Sequence, residues 1–157
     1  MITINSILGN IFKGENFEEI NFEEIKISRI DLEKRILRKK TNVGTDIGIN
    51  LDSSIKLQHG DIIGNNETKI IVKQIPEKVI LVKLKENNQN IAIILGHIIG
   101  NRHRPIVIKD KIILFPIQED SELEIFQRLF KDIIDHVELK IEEKIFLPHT
   151  SADVHEH

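Results

Sequence analysis

The sequence predicts an α+β fold, on three observations. Short Ile/Val-rich runs separated by Gly, Asn, Asp and Ser clusters fill the first 75 residues; helical periodicity enters only after Pro76; and apolar content falls away after Pro148. The 157 residues, 40% of them hydrophobic, suffice for one ordinary domain or two small ones.

In the first part, ISRIDL, RILRKKT, DIGINL and KIIVKQI read as strands, punctuated by TNVGT, LDSS, QHGD and GNNET. Residues 1–75 are therefore expected to form a small β lobe. A strand over Val79–Lys85 opens the second part, with apolar and basic residues alternating. A helix follows over about Asn88–Gly100, then strands PIVIKD and KIILFPI, a helix over about Ser121–Ile133 and a last strand HVELKIEEKIFL. This βαββαβ order over residues 76–147 is the split-βαβ, ferredoxin-like plan. Ser121 with Glu124 forms a capping-box signature for the second helix, whose Leu123, Phe126, Phe130 and Ile133 recur at helical spacing. Residues 148–157 read as a flexible, histidine-containing tail.

The first helix has almost no polar face. Ile91, Ile94, Leu95 and Ile98 form the expected core stripe, but Ala92, Ile93 and Ile99 cover much of the remainder. A helix apolar all round is buried on two sides. Gly96 and Gly100, four apart, share a face and permit close backbone approach. The second side therefore needs another surface, either the β lobe or a second copy of the chain, and a homodimer built around this helix is the expectation.

Composition excludes several functions. With 22 basic and 25 acidic side chains the formal charge is -3, so no global field favours nucleic acid or an anionic membrane. Aromatic residues that stack bases are also sparse, with seven Phe and neither Trp nor Tyr. Without cysteine there are no disulfides, thiolate nucleophiles or cysteine-ligated zinc, and any metal must be held by His and carboxylates. The N-terminal residues lack the basic start and unbroken apolar run of a signal peptide, so a cytoplasmic location is the default expectation. Catalysis has little footing: no phosphate-binding glycine loop, GxSxG or HExxH is present.

Seven histidines remain to be placed. His103 follows Gly100 and Asn101, which are suited to stop the helix, and precedes Arg104-Pro105, which discourages its continuation. Taken alone it reads as a surface histidine at the negative end of a helix dipole. Twofold symmetry supplies the sharper reading. If the helix packs on its copy, the same turn arrives twice and two His103 side chains share one ion. Imidazole suits Ni, Cu and Zn. Two histidines do not close a coordination sphere, and His149, His155 and His157 of the tail are candidates to supply the rest. His97 reads as a packed, hydrogen-bonded histidine, His59 as a turn residue, and His136 as a loop or strand-edge group.

The run Gly100-Asn101-Arg102-His103, followed by Arg104-Pro105, resembles the GNRH-x-P signature of the urease accessory protein UreE family of nickel metallochaperones. GTDIGINL from Gly44 to Leu51 and LQHGDII from Leu57 to Ile63 are similar to two further segments of that family. The resemblance implies a homodimer that holds Ni2+ between its subunits through His103, with the tail histidines completing or feeding the site. Zn2+ or Cu2+ would also bind in vitro. It further implies delivery to the apo-urease activation complex and contact with the urease accessory GTPase UreG. Where some members carry a histidine five residues before that of the signature, Ile98 stands here, so no such role passes to His97. The competing readings are a small metal-dependent hydrolase using His103 and a non-catalytic structural dimer.

Overall fold

The computed structural model describes residues 1–13 and 22–148. The chain is α+β and divides into two compact units, Met1–Ile75 and a second beginning at Pro76.

The first unit holds β1 (Ile2–Ile4), β2 (Gly9–Asn10), β3 (Glu23–Ile27), the short helix α1 (Arg29–Leu32), β4 (Ile36–Lys40), β5 (Asp46–Asn50), β6 (Asp61–Gly64) and β7 (Lys69–Gln74). These form a three-stranded sheet in the order β1-β5-β4 and a four-stranded sheet in the order β2-β6-β7-β3. Alternation decides the inward face. In β7 the buried residues are Ile70, Val72 and Gln74, and in β5 they are Ile47 and Ile49, as a half-buried strand requires. The apolar ones among them, with Ile4, Ile25, Ile27, Leu51 and Ile63, belong to the core of the unit. One expectation fails here. ISRIDL is not a single strand, because the Ser28 hydroxyl accepts from the Asp31 backbone N–H and starts α1 at Arg29.

The second unit holds β8 (Glu77–Leu84), α2 (Gln89–Gly100), β9 (Val107–Lys109), β10 (Ile112–Pro116), α3 (Glu122–Leu129), a 3-10 turn (Ile134–His136) and β11 (Val137–Lys144). The sheet order is β11-β8-β10-β9 and every neighbouring pair is antiparallel. β8 and β9 thus run the same way with β10 inserted between them, which is the split-βαβ connection. Ile80, Val82, Ile113, Phe115 and Val137 from the sheet meet Leu95 and Ile99 of α2 and Phe126 of α3, with Phe130 and Ile133 just beyond it, in one core. The expected alternation along β8 is absent where it matters, since Val79 to Val82 are all buried.

Both helices differ in detail from their periodicity. In α2 the buried residues are Leu95 and Ile99, whereas Ile94 is 43% exposed. The stripe is rotated by one position, placing Ile93, Gly96, His97 and Gly100 on the open side. α3 ends at Leu129, short of the expected Ile133. Its capping box does not form: Ser121 makes no side-chain capping bond, and Glu122 takes over by accepting from the backbone N–H groups of Gln118 at 2.6 Å and Glu119 at 3.2 Å.

Candidate functional site

α2 starts cleanly, with the Asn88 side chain accepting from the N–H groups of Asn90 and Ile91. Its other end brings the chain to His103. The Asn101 N–H still reaches back to the His97 carbonyl, and then the ladder tightens: Arg102 N–H donates to Ile99 and His103 N–H to Gly100. The turn that follows the helix ends at His103, whose φ is 53°. The helix stops at Gly100 with Asn101 as its cap, as expected, but neither residue takes the left-handed position. Gly100 is its last residue and Asn101 keeps helical dihedrals, so the left-handed position usual for glycine falls on a histidine. Among non-glycine residues, His, Asn and Asp enter this region most readily. The consequence is an exposed imidazole carried on a defined backbone turn.

The residue after His103 braces that turn. Arg104 donates from Nη1 to the Pro116 carbonyl at 2.8 Å and from Nη2 to Glu122 Oε1 at 2.5 Å, and its guanidinium carbon lies 5.6 Å from the centroid of Phe126. Burial acts to raise the Glu122 carboxyl, but the Gln118 N–H, the Arg104 guanidinium and the Glu119 N–H together hold it below its ordinary value. Sequence reading missed this clamp. Its members lie 12 and 18 positions from Arg104, and no local pattern links them.

The other histidines fall as follows. His97 is exposed on the open side of α2, not packed, and its Nε2 lies 3.4 Å from the Asn101 side-chain amide. His136 pairs through Nδ1 with Glu86 Oε1 at 2.6 Å. His59 does more than occupy a turn. The Gln74 N–H donates to its Nδ1, which fixes the proton on Nε2, and its ring lies 5.1 Å from that of Phe12. Burial, with Lys73 nearby, lowers its pKa. Beside it, buried Asp61 accepts from the Asn10 side chain and the Gln58 N–H, and Gly60 at φ 89° passes so close under Phe12 that a Cβ would sit 2.3 Å from the ring. QHGD is thus a structural knot of the first unit. His149, His155 and His157 lie outside the described residues.

Fold and turn together define a class: a small two-unit α+β protein with an exposed histidine turn and, among the described residues, no group of three His, Asp or Glu side chains placed to hold a metal ion. Residues 4–75 match the family described as UreE urease accessory protein, N-terminal domain. Urease accessory protein UreE of Streptococcus vestibularis is 30% identical over 126 residues, spanning 80% of this chain and 81% of the relative. The protein of the same name from Prochlorococcus marinus is 30% identical over 79% of this chain and 80% of its own length. That of Staphylococcus epidermidis is 40% identical over 74 residues, 47% of this chain and 49% of the relative. The chain belongs to the urease accessory protein UreE family. Its role is accessory to the urease machinery and not itself enzymatic. Among the described residues no helix is long and apolar enough to cross a membrane.

Proposed function

We propose that this chain is a cytoplasmic metallochaperone that binds Ni2+ as cargo between two copies of itself and passes it to apo-urease during active-site assembly. The observation that carries the reading is the placement of His103. It stands exposed at the end of a helix whose outer face is apolar, with Ile93 62% exposed and with nothing within 4 Å of a Cβ built on Gly96 or Gly100. Two such helices packed across a twofold axis bury Ile93 and bring the two imidazoles together. A pair of histidines leaves coordination positions open, and His149, His155 and His157 are the proposed source of the remaining ligands. Such a site exchanges its ligands one at a time, so cargo is held without being trapped. Nickel identity follows from the urease role and not from ligand type, since Cu2+ binds the same nitrogens more strongly and Zn2+ also accepts imidazole.

In this reading residues 76–147 form the metal-binding and dimerisation domain. The β unit, residues 1–75, faces the urease activation complex and the accessory GTPase UreG. Reconstitution of urease from its apoprotein at limiting Ni2+ tests the proposal. The wild-type chain should raise the yield of active urease, and His103→Asn should not. Equal yields with the two proteins would refute delivery through this site.

A further inference from the structure

His103 sits in a part of the chain with little regular support. Residues 101–103 form a turn and β9 begins only at Val107. A non-glycine residue in the left-handed region persists where its surroundings over-determine it. On the helix side, two tightened backbone bonds, from Arg102 N–H to Ile99 and from His103 N–H to Gly100, restrain it. On the other side the restraint passes through Arg104, which spans from the Pro116 carbonyl at the end of β10 to Glu122 in the first turn of α3, over the face of buried Phe126. Glu122 is itself held by two backbone N–H groups on its other oxygen. The residue immediately after the imidazole is therefore tied to two further elements of the same unit.

We infer that Arg104 and Glu122 are positioning residues for His103, fixing the direction in which the turn presents its imidazole to a metal ion. The inference rests on the reading of His103 as a ligand. The two residues touch no metal themselves. They remove backbone freedom that would otherwise be lost when an ion is bound, and they hold the turn at the geometry in which two copies can meet. Lysine at position 104 keeps the charge, but a single ammonium does not reproduce a planar fork bonded to a carbonyl and a carboxylate while stacked on a ring.

The test compares wild type, Arg104→Ala, Arg104→Lys, Glu122→Gln and His103→Asn in full-length protein. Ni2+ affinity is measured by equilibrium dialysis well below the unfolding temperature. The three-bond HN–Hα coupling of residue 103 reports its φ in each variant that retains the histidine. Ile133→Val serves as a control that trims the same core without touching the turn. Loss of supporting groups around a metal ligand commonly weakens binding about 10- to 100-fold. Arg104→Ala should weaken Ni2+ about tenfold and shift the coupling, Arg104→Lys and Glu122→Gln should fall between it and wild type, and Ile133→Val should change neither readout. If His103→Asn abolishes tight binding while Arg104→Ala keeps wild-type affinity, positioning is overturned and the ligand reading stands. If His103→Asn binds Ni2+ as wild type does, the ligand reading fails and positioning falls with it. Should Arg104→Ala not fold, wild-type affinity and coupling in both Arg104→Lys and Glu122→Gln overturn the inference.

Discussion

At position 103 the choice of replacement decides what an experiment reads, because the backbone there is left-handed. Asparagine tolerates that conformation, so His103→Asn should leave folding stability within about 0.5 kcal/mol of wild type while removing the imidazole. A β-branched residue does not, and His103→Val should lose about 1–2 kcal/mol in urea unfolding. Glu122 makes a second prediction. Its carboxyl is held below the ordinary value of 4.5, so it binds fewer protons folded than unfolded. Its contribution to stability is present above that pH and is lost as pH falls through the lowered folded value. The destabilisation caused by Glu122→Gln should therefore be largest near neutrality and shrink in acid, read by urea unfolding between pH 7 and pH 3. At this scale the sequence was only partly legible. The GNRH run singles out His103 and Gly100-Asn101 mark the helix stop, yet no local pattern puts the left-handed residue at His103 instead of a glycine, and the partners of Arg104 are brought near only by the fold.

For α2, hydrophobic content was legible and orientation was not. An almost uniformly apolar helix offers no polar stripe to fix its rotation, so Ile94 and Ile99 exchange the roles expected of them. What does survive is the conclusion that one face lacks cover, and Ile93 supplies it. Gly96→Ala separates the two demands on this helix. Alanine in place of a mid-helix glycine should stabilise the folded chain by about 0.5–1 kcal/mol. The added methyl sits on the proposed twofold face, where overpacking should weaken dimerisation by about tenfold. Sedimentation equilibrium reads the second effect, and an unchanged dimer would move the interface elsewhere. Gly60→Ala in the first unit gives the contrasting case. Both its φ of 89° and the ring of Phe12 oppose a side chain, so it should destabilise by more than about 1 kcal/mol in urea unfolding. Strand pairing was the least legible feature. The parallel pairs β1 with β5 and β3 with β7 join segments some 45 residues apart, and the β3 segment carries too much Glu and Lys to announce itself as a strand.

Across the whole molecule, the order of elements after Pro76 could be read because apolar runs, helical spacing and turn residues alternate clearly there, and the sheet order follows from a connection with few alternatives. The site could not be completed in the same way. One chain presents one braced imidazole, and the residues proposed to close the sphere lie in the last nine positions, outside the described structure. Since metal must displace protons from imidazole, affinity should fall in acid. The central claim is that one histidine is used twice, and the stoichiometry of tight Ni2+ binding, measured by isothermal titration on dimeric protein, tests it most directly. The account predicts one tightly held ion per two chains in wild type and none in His103→Asn. One tight ion per chain, persisting in His103→Asn, would contradict it.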